Sequence, residues 1–478
     1  MSAVVRIACE EWRQWGRSRL AVMTLGVFAA LLVVTTFLTA TDMIDARHDR
    51  LHQQAEAEQT FLNQPARHPH RMVHYGHYVF RAPPPLAVFD PGVDSVTGQS
   101  LFLEGHRQNA AMFADARAQA RTGGFGILTP AKLYFLFLPL LLIALGHAVI
   151  LREREARTLG PLLSQGVSGP TLFAGKLTSL AALIGVLSVP ALITSIVGIM
   201  LGEPPLTAIM LYLATTLYLC VWGALIVLVS ILAKSRGIAL GTLLLIWFVT
   251  ALIVPRIGVA VATITSPVDG KIVTDMKMKE DIIRDGDPHN AADPAFAQLR
   301  ANLLAEYDVA TVEELPINFR GVVAGKGEEN LTKTLNAYAN RRMNSEIAQS
   351  GTLAAFGWVS PYIAASTSAR HLAGTDLATH HRFMREAEAL RFDFVQSLNR
   401  AQAEKMSYAV DVGRNASQAA FDLTRVDPEN WKVLDEFRFV PDTAAMRLDR
   451  GSSGLMALIL WLAALLVAGF ISARRLAP

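Results

Sequence analysis

Six stretches of the chain hold mostly apolar residues in runs of about 20, the length a helix needs to cross a hydrocarbon core of roughly 30 Å. They run from about Leu20 to Met43, Ala131 to Leu151, Leu177 to Leu201, Leu206 to Leu232, Ile238 to Pro255 and Leu455 to Ile471. Lipid offers no partner for backbone N–H and C=O groups, so each stretch is predicted to be a helix. The first is too long, and too poor in a small-residue cleavage motif, for a signal peptide, and reads as a retained anchor.

Lys and Arg near span ends stay on the cytoplasmic side. One set of flanks holds Arg6, Arg13, Arg17, Arg19, Arg152, Arg154, Arg157, Lys176, Lys234, Arg236, Arg474 and Arg475, whereas the short opposite loop Gly202 to Pro205 has none. Both termini are therefore expected to be cytoplasmic. The predicted order is a cytoplasmic N-terminus with span 1 (1–43), an outer segment (44–130), spans 2–5 (131–255) with a cytoplasmic element at 152–176, a second outer segment (256–453), and span 6 with a cytoplasmic C-terminus (454–478). Long loops are exempt from the charge rule, so the arginines of the outer segments do not contradict this order.

The first outer segment opens with a polar, heptad-like stretch, Ile44 to Leu62, that can continue span 1 as a helix. A loop follows, with Pro83-Pro84-Pro85 and the extended-looking His77-Tyr78-Val79-Phe80, before Phe102 to Ala120 returns to helical composition. In the second segment, helices are expected over Pro294–Tyr307, Glu328–Ser350 and Thr379–Tyr408, with Gly/Pro/Asp punctuation between them. An all-α membrane protein with a mainly helical extracytoplasmic domain, built from both segments, is the predicted fold.

Composition agrees with a membrane protein: of 478 residues, 52% are apolar and only 18% charged. The two cysteines, Cys9 and Cys220, fall beside or within spans and give no disulfide framework. A net charge of +3 with scattered arginines offers no basic stripe for nucleic acid.

Catalytic signatures are absent. The nearest approach to a nucleotide-binding loop, Gly169 to Leu177, has its first glycine one residue too far away and Leu177 where a hydroxyl is required. No Gly-x-Ser-x-Gly or intramembrane Ser–Lys pair occurs. Within the spans, His147 reads as reaching the interface, and Arg256, following Pro255, as a snorkelling anchor. Seven of the twelve histidines (His48, His52, His68, His70, His74, His77 and His106) fall in the first outer segment. His48 and His52 have i, i+4 spacing, and His70, His74 and His77 are the residues that would converge from a loop. Without HExxH or a nearby cysteine no metal is assigned, and solvated or hydrogen-bonded histidines are the preferred reading.

Between spans 2 and 3, Arg152-Glu153-Arg154-Glu155-Ala156-Arg157-Thr158-Leu159-Gly160-Pro161-Leu162-Leu163-Ser164-Gln165 passes from dense alternating charge to an apolar face of Leu159, Leu162 and Leu163, the pattern of an amphipathic interfacial element able to dock a partner. A solubilising turn would need only a few residues.

The run Arg152 to Leu177 resembles the cytoplasmic segment of ABC-2-type permeases, with wording close to E-x-x-x-G-T-L, then L-L-S-x-P-V-S, then G-K. It departs at Arg157, where glycine is usual, and at Gly166, where proline is common. The outer segments resemble a permease subfamily associated with multi-copper enzyme maturation that carries a large inserted domain of unknown function. The matching residues are His74-Tyr75-Gly76-His77-Tyr78-Val79-Phe80, Pro85-Leu86-Ala87, Asp90-Pro91-Gly92, Ser360-Pro361, Ala373-Gly374-Thr375-Asp376, His381 and Phe383. The resemblance covers essentially the whole chain. It places His74 and His77 in the inserted domain's architecture and supplies no ligand set.

What the resemblance implies is a permease half in a bacterial inner membrane, paired with an identical or related permease and with two copies of a separate ABC ATPase that holds ATP and Mg, the chain itself carrying no cofactor. By analogy Glu153, Glu155, Thr158, Leu159, Leu162 and Leu163 would form the surface that receives the ATPase stroke. The expected substrate is met at the outer leaflet or in the periplasm, with a periplasmic partner as a further expectation. A non-transporting sensor or scaffold with a ligand-binding outer domain is the alternative from a different class. A membrane metallohydrolase, resting only on the histidines, is the third.

Overall fold

The computed structural model describes residues 2–112, 128–434 and 437–476. Among the described residues six helices are long and apolar enough to cross a membrane: Arg19–Leu62, Pro130–Glu155, Gly169–Leu187, Pro205–Leu232, Arg236–Thr265 and Ala444–Arg474. Further helices fill most of the remainder. The described residues form one two-stranded sheet, His77–Phe80 antiparallel to Ser100–Leu103, with His77 opposite Leu103.

The first span helix continues unbroken for 44 residues, as the stretch Ile44 to Leu62 predicts. At 1.5 Å per residue it is about 66 Å long, roughly twice a bilayer core. The expected third span is instead two helices, Gly169–Leu187 and Val189–Met200. Pro190 lies at the break, where its missing N–H and its ring oppose a continuous ladder. The fifth helix does not end at Pro255 but runs on to Thr265, so Arg256 lies within it.

Each proline inside a span frees backbone groups that lipid cannot satisfy, and a neighbouring helix supplies the partner. At Pro190, the Tyr134 hydroxyl inserts into the ladder: it donates to the Leu187 carbonyl at 2.8 Å and accepts from the Ala191 N–H at 3.1 Å. Pro139 has no N–H for the Phe135 carbonyl, and the preceding turn widens to a π-turn over Leu133–Phe137. Tyr218 donates to Phe135 O at 2.6 Å and Trp247 to Leu136 O at 2.9 Å. A second π-turn, Val249–Ile253, precedes Pro255 and sends the Val254 N–H back to Val249 O. Thr250 O is thereby left without its helical donor, and Ser360 Oγ donates to it at 2.6 Å.

Beyond the spans, both segments contribute to one apolar cluster. Phe61, Val73, Val79, Leu101 and Leu103 from the first pack with Phe383, Phe394, Leu398 and Trp431 from the second. The strand over His77–Phe80 agrees with its extended pattern, but Phe102 lies in the second strand rather than opening a helix. The cause is packing: the Phe102 ring covers Gly76, where a Cβ would come within 2.0 Å of it and where φ is +74°. The rest of that expected helix, from 113 to 120, lies outside the described residues. The helices expected in the second segment are present as Ala297–Glu306, Phe319–Ala355 and Leu377–Lys405, the last ending before Met406 rather than at Tyr408.

The junction between spans and outer segments is polar and closed. Thr375 Oγ1 donates to Asp90 O at 3.0 Å, Val93 N donates to Thr375 O at 3.0 Å, and Asp376 caps the helix Leu377–Lys405 by accepting from Thr379 N. Beneath it Arg447, on the sixth helix, donates to Glu203 Oε1 at 2.6 Å, and Thr207 donates to the same oxygen at 2.6 Å. Both members of the Glu203–Arg447 pair are 1% exposed. Removing one partner of such a pair strands a buried charge at a cost of about 3–5 kcal/mol, whereas replacing both with neutral groups of similar size is far milder. Arg447→Ala is therefore expected to lower the unfolding midpoint in detergent sharply, and Glu203→Gln with Arg447→Met to recover most of the loss. An additive, larger loss in the double variant would contradict the pairing.

Candidate functional site

Between the second and third spans the chain forms two short helices, Leu151–Glu155 and Leu159–Ser164. Each closes with the same paired bonds. Thr158 N donates to Glu153 O and Arg157 N to Arg154 O, while Val167 N donates to Leu162 O and Gly166 N to Leu163 O. This is the Schellman arrangement, whose penultimate position needs a left-handed residue. Gly166 meets that demand at φ +86°, and Arg157 adopts it at φ +59° despite its side chain. The two departures from the permease wording thus have a physical reading. Glycine suits position 157 better than arginine does, and proline, locked at negative φ, cannot occupy 166 in this geometry.

The first of these helices is anchored on every side. Ser230 Oγ accepts from Ile150 N at 3.0 Å, and Arg154 donates to the carbonyls of Ala233 and Ile231 at the end of the fourth span. Glu155 pairs with Arg236 at 2.5 Å. Glu153 accepts from Thr158 Oγ1 at 2.5 Å and from Lys176 Nζ at 3.0 Å. Lys176 and Arg152 both pair with Glu11, whose side chain has no exposed surface. Glu11 lies on the amphipathic helix Ala3–Arg17, which buries Ala8, Glu11 and Trp15 along one face. Gly175 meets that helix so closely that a Cβ would approach Ile7 to 2.7 Å, and Gly169 likewise abuts Ala473 near the far end of the chain. The N-terminal helix, the two-helix knuckle and the end of the sixth helix therefore lie together at one end of the bundle.

The predicted docking residues divide. Leu159 is buried in the main core and Leu163 packs against it, so this apolar face looks inward rather than outward, because the knuckle needs it to seat on the bundle. Glu153 and Leu162 are half-buried, and Glu155 and Thr158 are exposed. The outward surface is made by Glu155, Ala156, Arg157, Thr158, Pro161, Ser164 and Gln165. Sequence reasoning missed Glu11. The available signal was an acid on the apolar stripe of Ala8, Glu11 and Trp15, at the i, i+3, i+7 spacing of a buried helix face. Lys176, read only as a flanking charge, is buried beside it.

In the outer segments the histidines also divide. His70 and His74, on the helix Pro69–Tyr75, meet His106 and His289, while His77 does not join them. His77 sits in the apolar cluster with its ring 5.2 Å from that of Phe61, and burial pushes its pKa down to about 4. It is a strand residue facing the core. His48 and His52 stack on each other on an exposed helix face. His68 caps the helix Pro69–Tyr75 through His70 N and lies 3.0 Å from Asp411 Oδ1. Burial opposes the charge on Asp411, yet hydrogen bonds from His68, Asn318 and Gln402 hold its carboxyl far below the usual range.

Relieving the left-handed strain at Arg157 removes about 1–2 kcal/mol, offset by about 0.5–1 kcal/mol from the greater freedom of glycine in the unfolded chain. Arg157→Gly is thus expected to raise the unfolding midpoint slightly, and Gly166→Ala to lower it. A fall with Arg157→Gly would contradict the turn geometry.

Comparison with protein families gives two matches. A family described as ABC-2 family transporter protein matches residues 5–302, and a domain of unknown function, DUF3526, matches residues 271–440. No curated protein matches the chain.

Proposed function

The chain belongs to the ABC-2 transporter family, and on that premise we propose that it is the membrane-spanning subunit of an ABC transporter driven by a separate ATPase. Family membership makes it a multi-pass membrane component of transport and implies an ABC ATPase as partner. The finer reading is that two ATPase copies dock on the outward face of the knuckle, and that ATP and Mg2+ are held entirely by them. The supporting observation is the pairing of Glu11 with Lys176 and Arg152. It ties an exposed two-helix projection to the N-terminal helix and the third span, so a push on the projection moves helices rather than a loose loop.

The docking surface proposed here differs from the apolar face expected from the sequence. Glu153, Thr158, Leu159 and Lys176 build the turn, and Arg157, Pro161, Ser164 and Gln165 are left to meet the partner. Arginine and lysine gather at the knuckle end of the bundle, which supports a cytoplasmic placement of that end and of both termini. The outer segments then stand on the opposite side of a bacterial inner membrane, where substrate is met at the outer leaflet or in the periplasm. Only 17% of the most apolar stretch of the first span and 22% of that of the fifth is covered. Lipid and a second, identical or related permease are what would cover the rest.

Affinity purification of the gently solubilised protein from its native membrane tests this reading. A stoichiometric Walker-type ATPase is expected, and its recovery is expected to fall when Ser164 and Gln165 are changed to Arg while folding is kept. Recovery of exported proteins alone, with no ATPase, would overturn it in favour of a non-transporting sensor or scaffold.

A further inference from the structure

Four imidazoles from three separate stretches of the chain converge beyond the spans. His70 and His74 stand one turn apart on the helix Pro69–Tyr75. His106 comes from the loop after the second strand, with its backbone held at φ +63°. His289 comes from the other outer segment, in the loop before Pro294. One ring nitrogen of each lies within 4.8 Å of those of the other three, and the Nε2 atoms of His70 and His74 are 3.3 Å apart.

Hydrogen bonding elsewhere fixes the tautomers of two of the rings. His106 Nδ1 lies 2.9 Å from Glu328 Oε2, and Glu328 is itself buried against Arg391. Burial opposes the charge on Glu328, but hydrogen bonding to His106 and the nearby Arg391 holds its carboxyl below the usual range. A carboxylate only accepts, so His106 Nδ1 carries the proton and its Nε2 keeps a free lone pair. That Nε2 is buried and has no hydrogen-bond partner. His289 Nδ1 lies 3.0 Å from Asp287 Oδ1, which in the same way leaves its Nε2 as a lone pair. A carboxylate behind the imidazole is the usual means of orienting a metal-ligating histidine and raising its basicity.

We propose that His70, His74, His106 and His289 bind a divalent late first-row transition ion, with Glu328 and Asp287 orienting two of the four ligands. Nitrogen ligands at 2.0–2.1 Å from a tetrahedral ion lie about 3.3–3.4 Å from one another. The His70–His74 separation already has that value. The widest separation must close by roughly 1.5 Å to reach it, a movement within reach of His74 and His289, whose side chains are exposed. A donor set made only of imidazole suits Zn2+, Co2+, Ni2+ or Cu2+. It does not suit Mg2+ or Ca2+, which take oxygen ligands. Because three ligands come from the first outer segment and one from the second, the bound ion would cross-link them. It would also pin the loop 285–293 against the helix Pro69–Tyr75.

The competing explanation for the cluster is a stack of neutral imidazoles. Burial, with the neighbouring His74, His106 and His289, pushes the pKa of His70 down to about 3, and burial lowers that of His74 as well. Neutral rings are what a metal requires, but neutrality alone does not select between the two readings, so the distinction rests on metal binding.

The full chain, purified in detergent without a polyhistidine tag and stripped with a chelator, is titrated with Zn2+ and, separately, with Co2+. One Zn2+ per chain is expected at micromolar free metal, with a higher thermal midpoint, and Co2+ is expected to give the visible absorption of a tetrahedral nitrogen site. His74→Gln and His289→Asn, both exposed positions, are each expected to weaken Zn2+ binding roughly tenfold or more and to abolish the thermal shift. His48→Gln with His52→Gln should leave both unchanged. The proposal is overturned if no Zn2+ is retained at micromolar free metal, if the His74 and His289 variants bind as well as the parent, or if removing His48 and His52 abolishes the binding.

Discussion

Inside an apolar bundle a backbone carbonyl with no donor costs several kcal/mol, and prolines within three of the spans leave carbonyls in that position. The responses to this constraint hold the bundle together. Tyr134 from the second span completes the broken third, Tyr218 and Trp247 from the fourth and fifth complete the second, and Ser360 from beyond the fifth completes the fifth. Each proline is thus the origin of a directed bond between helices, in a medium where apolar contact alone does not favour helix over lipid. Ser360 also N-caps the helix Pro361–Ala373, so the same hydroxyl position links the fifth span to the helix packed against the sixth.

The knuckle is governed by a comparable economy of charge. Glu11 neutralises Lys176 and Arg152, Lys176 also meets Glu153, and Glu153 also accepts from Thr158. The residues that make the segment resemble ABC-2 permeases are therefore largely spent on its own architecture. Glu153, Thr158, Leu159 and Lys176 shape and seat the turn, and positions 157 and 166 meet its demand for left-handed backbone. The same holds in the outer segments. Asp90 and Thr375 join each other, Asp376 caps a helix, Gly76 admits the Phe102 ring, and Phe383 fills the core. The residues that carry the resemblance set local geometry in both regions.

What could be read from the sequence follows from which interactions are local. Six spans, the extension of the first helix beyond the span as far as Leu62, and the strand His77–Phe80 depend on hydropathy and period over neighbouring residues, and all three are present. The division of the third span at Pro190 was marked by the proline itself, yet the hydrophobic run around it reads as unbroken. Phe102 was misassigned because its conformation is set by Gly76, distant in sequence. In the site, the spacing of Leu159, Leu162 and Leu163 correctly signals an amphipathic element but not which way it faces, since one-sided burial looks the same whether the partner is the protein's own core or another chain. The sequence groups His70 and His74 with His77 as histidines converging from a loop, whereas the first two share a helix face and His77 faces the apolar cluster from a strand. His106 and His289 join them only through the packing of two segments that three spans separate.

The central claim is that the outward face of the knuckle, rather than the outer segments, receives the energy-supplying partner. Its most direct test is a photo-reactive residue placed at Gln165, with one at the exposed Tyr307 of the second outer segment as control, activated in native membranes. A covalent adduct of an ATPase with the Gln165 position, lost or rearranged when a non-hydrolysable ATP analogue is added, is the predicted result. Absence of any ATPase adduct at Gln165, with capture only at Tyr307, would contradict the claim.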